Sequence, residues 1–120
     1  MFLKSLNKKI VGLRQKELLT LTGGTGLGKS SVTRELEHWL INNTKDNVGI
    51  IALEEDWRRT VDGILSIEAN QRLYMDEVRN EVSEDKLNNM FQKVFSTDRV
   101  FIHSHFGTND IDDIFSKVRN

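Results

Sequence analysis

The chain has 120 residues, a net charge of −1 and neither cysteine nor proline. A chain of this length forms at most one domain, and the lack of cysteine excludes a disulfide framework and a thiolate metal site. The sequence contains no run of about 20 apolar residues, so we expect no membrane span and a cytoplasmic location. The near-neutral balance excludes nucleic-acid attraction by overall charge, although a local basic surface could still bind phosphate backbone.

Residues 1–16 form a basic N-terminal segment, which we separate from the domain predicted over residues 17–120. The segment has no acidic side chain, and its basic residues are Lys4, Lys8, Lys9, Arg14 and Lys16. Two interpretations stay open. The segment is a solvated tail, or it is an arm that contacts phosphate backbone or a neighbouring subunit.

The next elements alternate between strand and helix patterns. Residues 17–22 are apolar and threonine-rich and stop at two glycines, which favours a buried strand. A helix is predicted from Lys29 to about Asn43, with apolar residues at helical spacing. Residues 48–53 are apolar on both faces, as in a parallel strand covered by helices on each side.

The second half of the chain continues this alternation. A helix is predicted over residues 57–70, and another after Ser83, a typical N-cap followed by acidic residues. Residues 100–102 predict a third strand, and a last helix begins near Thr108 or Asn109. The order β-α-β-α-α-β-α predicts an α/β fold with an open, mostly parallel sheet, helices on both faces and three strands in this chain.

A glycine-rich loop lies between the first predicted strand and the first predicted helix. Its residues are Gly23, Gly24, Thr25, Gly26, Leu27, Gly28, Lys29 and Ser30. This spacing, G-x-x-x-x-G-K-S, is the pattern of a loop that binds nucleoside triphosphates. Its backbone N–H groups and the following helix N-terminus would cradle phosphates. Lys29 would supply a positive charge and the Ser30 hydroxyl a ligand for Mg²⁺; Ser31 could add a hydrogen bond to phosphate.

Acidic residues follow the second predicted strand at once. Glu54 stands at the carboxyl end of that strand, where open α/β sheets bind ligands. A carboxylate there could act as the base for the water that attacks the γ-phosphate. In an extended chain Glu55 would point the other way, so Glu54 is the predicted catalytic residue beside Lys29. The alternative is a solvated acidic start to the next helix.

Several stretches together resemble the DnaB-type ring-shaped replicative helicases, and within them the helicase half of phage primase–helicases and of the mitochondrial Twinkle helicase. The similar stretches are the run Leu53-Glu54-Glu55, residues 6–14, Trp39, Arg72-Leu73 and residues 95–98. The resemblance spans most of residues 6–119. The glycine loop is shared with many ATPases, so the family assignment depends on the Glu54 motif and its surroundings.

The resemblance implies a RecA-like fold that binds ATP and Mg²⁺, with Glu54 as the catalytic base. It also implies a homo-hexamer around single-stranded DNA, without membrane association, that unwinds DNA from 5′ to 3′. In the family, the Walker B aspartate that helps to hold Mg²⁺, the arginine finger and the DNA-binding loops follow later in the chain. They have no counterparts in this sequence. We therefore expect the first part of a helicase motor that is weak or inactive alone.

Two other classes of function stay open. The chain could belong to a different RecA-like ATPase, such as a recombinase or a clock-type protein, which shares the glycine loop and the glutamate. It could instead be a nucleotide-binding fragment without catalysis. A full-length form of a different RecA-like ATPase would fail to unwind a forked duplex. A nucleotide-binding fragment without catalysis would fail to turn over ATP.

Overall fold

The computed structural model of the chain describes residues 3–104 together with residues 112 and 116. The helices are α1 (Lys4–Ile10), α2 (Lys29–Asn43), α3 (Trp57–Ala69), α4 (Asp76–Asn80) and α5 (Glu84–Phe95), and the strands are β1 (Val48–Ala52) and β2 (Val100–Ser104). The helix predicted to begin near Thr108 lies outside the described residues, apart from positions 112 and 116, which are helical. Within the described part of the chain, no helix combines the length and apolar character that a membrane crossing requires.

The two strands form a small, open, parallel sheet. Their register runs from Val48 opposite Val100 to Ala52 opposite Ser104, and the connection between them passes through α3, α4 and α5. A parallel pair needs such a crossover, so this arrangement of helices and strands is compatible with an incomplete α/β fold. The predicted strands at residues 48–53 and 100–102 are confirmed, as are the helices from Lys29, at 57–70 and after Ser83.

The strand predicted over residues 17–22 is not formed. These residues have no regular secondary structure, and β1 pairs with β2 in the sheet that the described residues form. Leu18 is 93% exposed and Leu21 is 50% exposed. A strand needs a neighbour to satisfy its backbone hydrogen bonds, and residues 17–22 have no such neighbour among the described residues. Among the described residues, β1 therefore has no strand partner on the side of the glycine loop.

Helices cover one face of the sheet rather than both. Val48 and Ile50 are buried, while Gly49 and Ile51, which point to the opposite face, are exposed. α2 contacts β1 and α3 contacts β2. The prediction of helices on both faces is therefore wrong for the described residues, because no helix among them packs against the second face.

The core lies between the sheet and helices α2, α3 and α5. Ile64, Leu73 and Val94 are at most 1% exposed, and Ile41 of α2 joins the same cluster. Each fully buried aliphatic side chain contributes roughly 1.5–3 kcal/mol of burial free energy. This cluster therefore fixes α2, β1 and α3 relative to one another, and residues of these three elements line the site.

Polar contacts fix the ends of the elements. Asp56 accepts a hydrogen bond from the Arg59 N–H at 2.8 Å and caps α3, and Ser83 accepts one from the Lys86 N–H at 3.3 Å and caps α5. The Arg99 guanidinium donates to the carbonyls of residues 41, 44 and 46. Arg99 thereby joins the end of α2 to the start of β2 and satisfies carbonyls that a helix end leaves without partners.

Candidate functional site

The glycine loop turns sharply into the N-terminus of α2. Gly26 and Gly28 have φ angles of 77° and 85°, a region that side-chain-bearing residues adopt only with strain. Gly28 is the N-cap of α2. Leu27 points into solvent and is 76% exposed. The two glycines are therefore needed for this path, which brings the loop backbone to the start of the helix.

Lys29 closes the loop on itself. Its Nζ donates to the Gly23 carbonyl at 2.7 Å and to the Gly24 carbonyl at 2.8 Å. The ammonium group is thus held over the loop by two neutral acceptors rather than by a carboxylate. The ammonium group is therefore already positioned to bind an anion in the loop. If Lys29 donated to anionic oxygens instead of the two carbonyls, the hydrogen bonds would be stronger because they would be charge-assisted.

The N-terminus of α2 favours a negatively charged ligand. The N–H of Val32 donates to the Gly28 carbonyl at 3.1 Å, and the N–H groups of residues 29–31 precede this first helical bond and have no partner inside the helix. No acidic side chain lies in the first turn. The helix dipole and the free N–H groups therefore point at the loop without an internal anion to neutralise them.

An open cavity of about 410 Å³ lies beside the loop, between α2 and the end of β1. It is lined by Lys29, Ser30 and Glu54, together with Thr33 and Glu37. Three residues singled out by sequence therefore surround one space. Ser31 lines a different cavity of about 340 Å³, on the side of α2 that meets residues 70–72. Ser31 therefore does not line the cavity that Ser30 lines.

Two of the three acidic residues that follow β1, Glu54 and Glu55, lie at this cavity. The strand ends at Ala52, and residues 53–55 form a bend, so strand alternation does not decide where the two side chains point. Glu54 is exposed. Glu55 forms an ion pair with Arg34 and accepts a hydrogen bond from Thr60 Oγ1 at 3.0 Å. Glu54 is thus the more accessible carboxylate, and Glu55 is engaged by two helices.

Glu37 adds a further carboxyl group to the cavity wall. Burial raises its pKa to about 7, an effect that Arg34 opposes and Glu55 reinforces. Its Oε2 is buried and has no hydrogen-bond partner among the described residues. At neutral pH the cavity therefore contains a carboxyl group that is only partly ionised, two helical turns from Lys29 on the same face of α2.

The sequence reasoning did not identify Arg34, Glu37 or Thr60 as part of the site. Glu37 could have been found, since Lys29, Thr33 and Glu37 follow each other at i, i+4 and i+8 and must share a helix face. Arg34 and Thr60 had no such signal, because their roles depend on contacts between separate elements. Within residues 3–104, 112 and 116, no group of three or more histidine, cysteine, aspartate or glutamate side chains could hold a metal ion.

Comparison with known proteins finds a phage relative of this chain. The chain is 26% identical over 117 residues to the DNA helicase/primase of Enterobacteria phage T3, a match that covers 96% of this chain and 21% of that protein. The chain thus spans about a fifth of the length of this relative. No protein-family model matches the chain. The chain is therefore similar to one stretch of a protein described as a DNA helicase/primase.

Proposed function

We propose that this chain is the ATP-binding portion of an ATP-dependent DNA helicase, with a RecA-like core. The observation that carries the proposal is the cavity that Lys29, Ser30 and Glu54 line beside the glycine loop and the N-terminus of α2. Similarity over nearly the whole chain to a protein described as a DNA helicase/primase supports the helicase class. The RecA-like fold, the nucleotide and the oligomer are part of the proposal.

In this proposal the loop binds the triphosphate of ATP. The N–H groups at the start of α2 donate to phosphate oxygens. Lys29 exchanges its two carbonyl acceptors for oxygens of the β- and γ-phosphates. Thr25 and Gly26 lie at the turn of the loop, where a close backbone approach to phosphate is possible because Gly26 has no side chain. The phosphate-binding part of the site is thus mainly backbone and one ammonium group.

The residues present fit a magnesium ion that arrives with the nucleotide. Mg²⁺ keeps several waters and binds substrate phosphates with one or two protein ligands, which suits a site where the Ser30 hydroxyl is exposed at the cavity. The ion would neutralise charge on the β- and γ-phosphates. Ser30 is the residue that would hold it.

Glu54 is the proposed general base. It would accept the proton of a water molecule as the water oxygen forms a bond to the γ-phosphorus. The bond between that phosphorus and the bridging β–γ oxygen breaks, and ADP and phosphate leave. The exposed position of Glu54 at the cavity leaves it free to contact such a water. Assembly as a homo-hexamer around single-stranded DNA is included in the proposal by similarity alone.

The test is ATP hydrolysis and unwinding by the full-length helicase that this proposal implies. Lys29→Ala should abolish hydrolysis stimulated by single-stranded DNA, and Glu54→Gln should lower kcat about 10²–10⁴-fold with little change in KM. Lys45→Ala removes a lysine from the exposed loop after α2 and should leave both activities unchanged. An unaltered rate in Lys29→Ala, or no unwinding of a forked duplex by the wild type, would refute the proposal.

A further inference from the structure

The carboxylate of Glu55 joins three elements of the structure. It pairs with Arg34 of α2, its other oxygen accepts from Thr60 of α3, and it follows the end of β1. The side chains of Arg34 and Glu55 are 22% and 27% exposed, and Thr60 is 1% exposed. An ion pair that is partly buried, and whose carboxylate also accepts a hydrogen bond from Thr60, constrains geometry more than an exposed pair does.

Gly63 makes this arrangement possible. Arg34 crosses α3 so closely that a Cβ at Gly63 would lie 2.5 Å from Arg34 Cδ and would also overlap Nε. Gly63 is buried in the interior of α3, where glycine costs about 1 kcal/mol relative to alanine. The cost is offset by the space that the glycine leaves for the Arg34 side chain, so the position of Arg34 depends on this residue.

The contacts surround the predicted base. Glu54 directly precedes Glu55, and Asp56 is fixed as the N-cap of α3. Arg34 lies in the helix that begins with Lys29 and Ser30. The ion pair therefore connects the helix that carries the phosphate-binding residues to the bend that carries Glu54, and the hydrogen bond to Thr60 fixes the same bend to α3.

We propose that Glu55 is a positioning residue: through Arg34 and Thr60, with the space left at Gly63, it holds the Glu54 carboxylate in place relative to Lys29 and Ser30. The inference rests on the proposed function, because it assigns the task of placing the base within that site. Glu55 itself does not contact the reacting atoms. Loss of the ion pair should leave the loop and nucleotide binding intact while the base loses its fixed position.

The first experiment needs no nucleotide. In the 120-residue chain, labelled with ¹⁵N, Glu55→Gln removes the charge that pairs with Arg34 and keeps an oxygen for Thr60. We expect the amide order parameters of residues 53–55 to fall from about 0.85 to below about 0.6. Gly63→Ala, which displaces Arg34, should have the same effect. Asp62→Asn is the matched control, since it breaks the α3 ion pair with Arg79 and does not contact the bend.

The second experiment uses hydrolysis by the full-length helicase. Glu55→Gln should lower kcat about 10- to 100-fold, as misplacement of a catalytic group does, with KM for ATP within about twofold. Arg34→Gln should do the same, and the double variant should lose no more than either single one, because the two residues act as a unit. Thermal unfolding of each variant identifies any that fail to fold, and Arg34→Lys then replaces Arg34→Gln.

The outcomes separate this inference from the proposed function. If the wild type hydrolyses ATP and Glu55→Gln keeps its kcat, or if residues 53–55 stay rigid in both Glu55→Gln and Gly63→Ala, the positioning role is refuted alone. If the wild type neither binds nor hydrolyses ATP, the proposed function fails and the positioning role fails with it. A fall in kcat together with increased mobility at Glu54, absent in Asp62→Asn, supports the inference.

Discussion

The glycine-loop region, residues 17–28, and the body formed by residues 29–104 differ sharply in how they are held. In the body, Ile64 and Val94 are completely buried, and helix caps and the parallel strand pair satisfy the backbone. In the loop region Leu18 is 93% exposed, and the contacts that shape the loop come largely from Lys29. The part of the chain with the strongest sequence motif is thus the part with the least packing.

This contrast shows that a strand pattern is a conditional signal. Residues 17–22 and residues 48–52 are similar short apolar runs, and only the second is a strand, because β2 lies beside it. A helix satisfies its backbone within its own segment, whereas a strand depends on another segment. The glycine turn, in contrast, is local: Gly26 and Gly28 adopt positive φ angles although the residues before the loop do not form a strand.

Substitution in the two regions gives the largest expected difference. Ile64→Ala should lower the free energy of unfolding by about 2–5 kcal/mol, because it leaves a cavity in the core. Leu18→Ala should change it by less than about 0.5 kcal/mol, since that side chain is already in solvent. Urea unfolding followed by circular dichroism measures both. Equal losses would mean that residues 17–22 are packed in solution and that the contrast is wrong.

A half-buried carboxylate in the body gives a smaller, pH-dependent effect. Hydrogen bonds from Lys93 and then His38 lower the pKa of Glu68, whose side chain is 11% exposed. Because the folded-state pKa is lowered, the ionised carboxylate stabilises the protein at pH values above the ordinary pKa of 4.5. This stabilisation is lost as the pH falls through the lowered pKa. Glu68→Gln should therefore cost about 1–2 kcal/mol at pH 7 and progressively less below pH 4.5.

Urea unfolding at a series of pH values tests this effect of Glu68. Glu81→Gln, at an exposed position, serves as the control and should show no comparable loss. A cost of Glu68→Gln that is the same at pH 3 and pH 7 would contradict the assignment, since the contribution would then not depend on the charge of Glu68.

Glu37 of α2, which lines the cavity beside the glycine loop, gives the smallest effect, with the opposite sign. The folded-state pKa of Glu37 is about 7 and its ordinary value is 4.5, so the folded protein is destabilised as the pH rises between these values. Glu37→Gln should therefore stabilise the chain by on the order of 1 kcal/mol at pH 8, after allowance for partial exposure. The gain should vanish near pH 4.5. A variant less stable than the wild type at pH 8 would show that the Glu37 carboxylate has a partner in solution.

The elements of the body could be predicted from sequence because their signals are local. Ser83 and the acidic residues after it indicate the start of α5, and the repeat of Val61, Ile64 and Leu65 indicates the buried face of α3. The sequence could not show which face of the sheet is exposed. Ile51 and Phe101 are residue types typical of a buried strand, yet both are exposed. Their burial depends on which other element packs against them, and the sequence of the strand does not specify that element.

The candidate site was predictable to a similar extent. The loop residues could be named from the spacing of their glycines, and Glu54 could be named because it follows a predicted strand directly. The roles of Arg34, Glu55 and Arg99 could not, since each contacts residues more than 20 positions away in the sequence. The contact between Arg34 and Glu55 depends on the packing of α2 against α3, and the Arg99 contacts depend on how the end of α2 meets the start of β2. No local pattern specifies either arrangement.

Titration of the 120-residue chain with MgATP in a calorimeter tests directly whether residues 23–30 bind a nucleoside triphosphate. We expect saturable binding at one site, at least about 10-fold weaker binding in Lys29→Ala, which removes about 1.4 kcal/mol or more of binding free energy, and unchanged binding in Lys45→Ala. Equal affinity in the wild type and Lys29→Ala, or no binding by a folded wild type, would contradict it.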